Sequence, residues 1–178
     1  MASFDKFLPL LLRFEGGFVN DPDDPGGATN KGITLKTFQH FGPRAGFTDT
    51  SLAALLRITD EEAGRIYKVH YWDPLRGDEI PLQPLAELLV DFYVNAGTNA
   101  VKELQRHLMS VNPPGALSDD GMFGEKTAAA LLSADPLQTY RALRERRLAY
   151  YHRICETNPR LQKFLKGWTN RVNAFPVL

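Results

Sequence analysis

The sequence predicts a mainly α protein with a small β-hairpin confined to residues 18–34. Three observations carry this. Apolar residues recur at three- and four-residue spacing along most of the chain. Residues that start and stop helices bracket those runs. Alternating apolar–polar segments of the kind that form half-buried strands are few. The chain has 178 residues, 43% of them hydrophobic, which is enough for a packed core and excludes a disordered polymer.

The first helix is expected from residue 4. Ser3 stands at its N-cap and Asp5 near the positive end of its dipole. Phe4, Phe7, Leu8, Leu11 and Phe14 supply the helical period, Pro9 predicts a kink or a delayed start, and Gly16-Gly17 ends the run. Residues 18–34 are dense in Asp, Asn, Pro and Gly and read as turns and short extended pieces. Short helices follow at 35–41 and 50–56. Thr59 with Glu62 has the pattern of a capping box opening a helix to about residue 72. A loop over 73–84 brings Pro84 to the first position of a helix at 85–94, apolar on most sides and therefore buried, which Gly97 ends. Helices at 100–110 and 125–132 flank a loop at 111–124. A long Arg-rich helix covers 136–156, and Asn158-Pro159 restarts a last one over 160–173. The helices are expected to pack around 85–94.

Composition excludes several functions. Lys and Arg (21) balance Asp and Glu (21), without the basic excess of a nucleic-acid binder. The balance hides an asymmetry: residues 1–100 carry a net −5 and residues 101–178 a net +5. This suits halves that attract each other, a basic half facing an anionic surface, or ordinary solvated charge. The single Cys155 allows no internal disulfide and no thiolate metal cluster, and reads as structural. No stretch reaches the ~18 apolar residues that span a bilayer, so stable membrane insertion is not expected. The apolar run 7–12 follows Asp5 and leads into Arg13 and Glu15 with no small-residue cleavage site, so it reads as a mature helix and not as an export signal.

The strongest candidate for chemistry is Glu15. It falls four residues after Leu11 and eight after Phe7, on the apolar stripe of the first helix. A carboxyl on such a stripe is costly to ionise, the property a general acid working near neutral pH needs. Gly16-Gly17 beside it leaves the backbone bare for a ligand. The bland alternative is a helix-end glutamate tied to a basic residue. Asp21, Asp23 and Asp24 follow closely, and paired carboxylates are the pattern of glycoside hydrolysis. Asp21, Asp23 and Gly26 also match three positions of a calcium loop, but Pro25 and Gly32 occupy two others without side-chain oxygens. Gly27 and Gly32 have the glycine spacing of a phosphate loop, yet Ile33 stands where its lysine belongs. Thr29, Asn30 and Thr34 are suited to hydrogen-bonding a polyhydroxylated ligand or a water. Asp91 and Asn95 form an i,i+4 polar pair on the apolar helix, facing either a cleft or neighbouring polar partners. Tyr71 and Trp72 offer rings of the kind that stack on sugars or fill cores. His40, His70, His107 and His152 show no zinc spacing, and no serine-nucleophile elbow is present.

The run from Glu15 to Thr34 (EGGFVNDPDDPGGATNKGIT) resembles the signature of glycoside hydrolase family 108, the bacterial and prophage lysozyme-like N-acetylmuramidases sometimes called secretion-activating proteins. Tyr71-Trp72-Asp73-Pro74 and the block from Asp91 to Gly97 are similar to later blocks of that family. Residues 98–175 resemble the small peptidoglycan-binding-like domain that follows it, through Leu104-Gln105, Asp120-Gly121, Phe123-Gly124, Thr127 and the Gly167–Arg171 tail. The resemblance implies a lysozyme-like helical catalytic region over 1–97 and a helical peptidoglycan-binding-like region over 98–178. It implies Glu15 as catalytic acid. More distantly related phage lysozymes place an Asp nine residues after the Glu, which Asp24 satisfies with Asp21 and Asp23 as rivals. They place a Thr six further on, where this chain has Asn30, with Thr29 one residue early.

The expected activity is hydrolysis of the β-1,4 bond between N-acetylmuramic acid and N-acetylglucosamine, with Glu15 and Asp24 catalytic and Thr29, Asn30, Asn95, Tyr71 and Trp72 binding substrate. No cofactor or metal is implied. The expected partner is the peptidoglycan glycan strand, reached from the cytoplasm through a holin-like pore. The alternatives are a non-catalytic wall-binding or secretion-assisting protein, and a chitin or chitosan hydrolase.

Overall fold

The structure, a computed structural model, describes residues 1–16, 28–112 and 117–178. They contain nine α-helices and one two-stranded antiparallel hairpin. The chain divides into two compact units, Ser3–Pro74 and Leu75–Leu178 with Met1–Ala2.

In the first unit, α1 (Phe4–Glu15) buries Phe4, Phe7 and Leu11, the stripe read from the sequence. Ser3 occupies the N-cap in extended backbone, but its side chain makes no cap hydrogen bond. The helix starts on time and runs through Pro9. A mid-helix proline removes one N–H and frees the carbonyl four residues earlier. Here Pro9 and Asp5 are both exposed, so water can serve that carbonyl. The strands β1 (Thr29–Asn30) and β2 (Ile33–Thr34) pair Thr29 with Thr34 and Asn30 with Ile33. Lys31 and Gly32 turn between them at φ 50° and 74°. Two consecutive positive φ values are what a type I′ hairpin turn demands.

Thr34 then caps α2 (Leu35–Phe41), accepting from the Thr37 N–H at 3.1 Å, so its hydroxyl serves the helix. Ser51 caps α3 (Leu52–Leu56). The capping box of α4 (Asp60–Tyr67) forms as read, with Thr59 and Glu62 exchanging bonds of 2.9 and 3.2 Å. The helix expected to run to residue 72 instead widens after Tyr67 into a π-helical turn, Lys68–Trp72. Helices α1 and α4 meet at Gly64, where an added Cβ would lie 2.7 Å from Leu8 Cδ2.

The second unit is built on α5 (Gln83–Ala96), which packs against α6 (Thr98–Val111) and α8 (Pro136–Thr157). It buries Leu85, Ala86, Leu88, Leu89, Val90 and Phe92, as its apolar composition requires. Helix α7 (Glu125–Ser133) follows the second undescribed stretch, and α9 (Gln162–Asn173) packs on α8. Much of the basic excess is consumed inside this unit. Glu103, 2% exposed, pairs with Arg106, Arg146 and Arg153. Asp91, fully buried, pairs with Arg147 and Arg171. Buried carboxylates need such partners, because an isolated charge is expensive to remove from water. Among the described residues no helix is long and apolar enough to cross a membrane.

Candidate active site

Glu15 ends α1, one residue before Gly16 leaves helical geometry at φ 70°. Phe7 and Leu11, earlier on its stripe, are fully buried, whereas Glu15 is half-buried. Its carboxyl lies on the hairpin turn. A Cβ placed on Gly32 would sit 2.5 Å from Glu15 Oε2 and 2.8 Å from Glu15 Cβ, and would collide with the Tyr67 hydroxyl as well. Glycine is therefore required at position 32 twice over: for its left-handed φ and because a carboxyl and a phenol occupy the space a methyl group would take.

The seat is braced from two sides. Tyr67, 1% exposed, donates from its hydroxyl to the Lys31 carbonyl at 2.9 Å. Lys31 Nζ reaches Asp60 at 2.5 Å, tying the turn to the start of α4. Beside it lies a recess of about 430 Å³ lined by Pro9, Leu12, Arg13, Gly16, Lys31 and Asp60.

The other sequence candidates divide. Thr29 and Tyr71 are half-buried on the same unit as Glu15. Tyr71 stacks on Tyr67 with ring centres 5.6 Å apart. Asn30 is buried, and its amide donates to the Leu55 carbonyl at 2.9 Å and the Leu56 carbonyl at 3.4 Å. It clamps the hairpin to the end of α3, so its side chain is committed to the fold. Trp72 was expected to line a cleft, but its ring is fully buried against Phe4 at 5.5 Å and Phe7 at 6.0 Å. With no exposed face, it is a core residue. Asn95 belongs to the other unit, where its Oδ1 accepts from Arg147 Nη2 at 3.0 Å and from the Tyr151 hydroxyl at 3.3 Å. Of the two readings of the Asp91–Asn95 pair, neighbouring polar partners is the one seen. Asp21, Asp23 and Asp24 lie outside the described residues. Sequence reasoning missed Gly32 and Tyr67. Their signal was present: a Lys-Gly pair between Asn30 and Ile33, and a tyrosine at i,i+4 to Tyr71.

A ladder of rings flanks the site. The His70 imidazole lies between Phe41 and Tyr71, with ring centres 3.8 and 3.9 Å away, and its Nδ1 is buried without a hydrogen-bond partner. Burial, assisted by the charge of His40, pushes its pKa down from 6.5 to about 4. Between those two values the unfolded chain binds a proton that the folded chain refuses. The stability contributed by neutral His70 is thus complete above pH 6.5 and is lost as pH falls toward 4. The unfolding temperature of His70→Phe should fall less than that of the wild type between pH 7 and 4, and parallel curves would refute this linkage. Among the described residues, no group of three or more His, Cys, Asp or Glu is placed to hold a metal ion.

In the second unit a recess of about 390 Å³ opens around Gln105, Asp120 and Thr127. Its polar groups satisfy one another. Gln105 Nε2 donates to Asp120 at 2.9 Å, the Met122 carbonyl at 3.0 Å and Thr127 at 3.1 Å, and its Oε1 accepts from the Gly121 N–H at 2.8 Å. Bonds from the Met122 N–H and Gln105 hold the Asp120 carboxyl below its ordinary pKa. The Leu-Gln and Asp-Gly motifs thus form a loop clamp.

Comparison with known proteins bears on both units. Residues 8–97 match the family model described as glycosyl hydrolase 108. Residues 99–173 match that of a predicted peptidoglycan domain. The two models meet after α5, whereas the compact units part at residue 75. None of the curated proteins matches the chain. Among solved structures, SagA of Brucella abortus is similar, with 34% identity and a TM-score of 0.72 over 97% of this chain and 90% of that one.

Proposed function

The chain belongs to the glycosyl hydrolase 108 family, and on that premise we propose that it is an N-acetylmuramidase, cutting the β-1,4 bond from N-acetylmuramic acid to N-acetylglucosamine in peptidoglycan. The observation that carries this is the seating of Glu15, a half-buried carboxyl held against bare backbone within the matched segment. Glu15 donates its proton to the bridging oxygen as the anomeric C–O bond breaks. Water then adds to the anomeric carbon and loses a proton to a carboxylate. Asp24 is the second carboxylate of this reading, stabilising the cationic transition state or positioning the water. Thr29 and Tyr71 border the sugar, and residues 99–173 dock the enzyme on the wall.

Mass analysis of muropeptides released from purified sacculi tests the assignment. New reducing ends on N-acetylmuramic acid are expected. Reducing N-acetylglucosamine ends would name a different bond. Wall binding with no release of reducing sugar would favour the non-catalytic alternative.

A further inference from the structure

The Gly167–Arg171 tail has no part in the chemistry of Glu15, and its glycine meets no need of the fold. Gly167 lies in the middle of α9 and is exposed, and a Cβ built on it would meet nothing within 4 Å. A helix interior disfavours glycine, so neither packing nor backbone geometry calls for it there. What glycine supplies at such a place is bare backbone that an outside body can approach closely.

Its neighbours on the helix surface are Lys163 and Phe164, four and three residues before it, and Asn170, three after, all exposed. Phe164, 46% exposed, closes a row of rings that starts in the core. Phe92 meets Tyr151 at 6.0 Å, Tyr151 stacks on Trp168 at 4.9 Å, and Trp168 meets Phe164 at 5.6 Å. The row fixes the outer ring while leaving part of it to solvent. Lys163 Nζ rests 4.8 Å from the centre of that ring. Positive charge gathers on the same stretch. Residues 157–178 hold Arg160, Lys163, Lys166 and Arg171 and no Asp or Glu. Arg171 is spent on Asp91, but among the described residues the other three pair with no carboxylate.

We propose that this face of α9 grips the glycan strand of peptidoglycan. This rests on the reading that residues 99–173 dock the protein on the wall. A pyranose has an apolar face of C–H groups, which suits the exposed part of Phe164, and hydroxyl and acetamido groups, which the Asn170 amide can bond. Bare Gly167 lets the sugar lie against the helix between them. The peptides on N-acetylmuramic acid carry free carboxylates, the counterpart of Lys163 and Lys166. A neutral glycan would leave those cations unanswered. A lipid surface would call for several inserting apolar side chains, and Phe164 is the one large apolar side chain that α9 exposes among the described residues.

Gly167→Gln separates this role from a structural one, because the two predict opposite signs. Glutamine suits a helix better than glycine and has room, so the unfolding temperature should hold or rise. Its side chain covers the bare backbone, so co-sedimentation of the full chain with purified sacculi, on ice to spare the wall, should weaken about tenfold, the worth of one central contact. Phe164→Ala should weaken it by a similar factor. Lys163→Gln combined with Lys166→Gln should weaken it and flatten its salt dependence. Wild-type binding by Gly167→Gln or Phe164→Ala overturns the proposal, as does weaker binding by Gly167→Gln that comes with a lower unfolding temperature. Wild-type binding to chitin as tight as to sacculi overturns the part given to the lysines. Loss of binding confined to phosphatidylglycerol vesicles would make the face a membrane contact instead. If the wild type does not sediment with sacculi, the docking reading of residues 99–173 falls and takes this face with it. If the wild type binds and the variants match it, only the α9 face falls.

Discussion

Glu15→Gln should lower the rate at which the protein clears a cell-wall suspension by about 10²–10⁴-fold, the usual worth of a positioned acid. The amide has the shape of the carboxyl and fits the space over Gly32, so the fold should persist and thermal unfolding should change little. What the amide lacks is a proton it can give to a leaving alkoxide. The size of the loss is informative because other contributions survive. On the proposed reading residues 99–173 dock the enzyme on the wall and carry no change, so wall pull-down should equal that of the wild type. Clearing at the wild-type rate would remove Glu15 from its role.

The largest effect on stability should come from Asp91→Ala. The Asp91 carboxylate accepts from Arg147 Nη2 at 2.7 Å and from Arg171 Nε and Nη2 at 3.0 and 2.7 Å. Arg171 is 13% exposed and can find water, but Arg147 is completely buried, with its Nη1 already lacking a hydrogen-bond partner. Removing Asp91 strands that guanidinium among the rings of Phe92, Tyr151 and Phe175. Leaving one partner of a buried pair uncompensated costs about 3–5 kcal/mol. Urea unfolding should show a loss of that order, and a loss within ~0.5 kcal/mol, typical of surface changes, would mean the pair is not needed for folding.

These two sites show what the sequence makes legible. The position of Glu15 followed from the period of Phe7 and Leu11, because a helix fixes which residues share a face. The capping box at Thr59 and the proline start of α8 were equally local, and both formed where read. The mainly α fold could be read for that reason, and its lysozyme-like character came from the family resemblance of the run from Glu15 to Thr34. What escaped was non-local. Asn30 has the chemistry of a ligand contact, but its partners are carbonyls 25 and 26 residues away. Trp72 lies one residue beyond the half-buried Tyr71, and the widened turn that carries both directs the indole toward Phe4 and Phe7. The glycine seat went unread because it depends on three segments meeting, the ends of α1 and α4 and the hairpin turn, and the local signals at Lys31-Gly32 and Tyr67 do not say that they meet.

That seat makes position 32 a one-letter diagnostic. Among chains that keep the glutamate, a side chain at the equivalent of Gly32 has to displace the carboxyl and the phenol, so the residue there marks whether this seat is kept. Tuning of the acid by evolution or by an engineer is confined for the same reason to the residues around the turn, since the turn itself has nothing left to give.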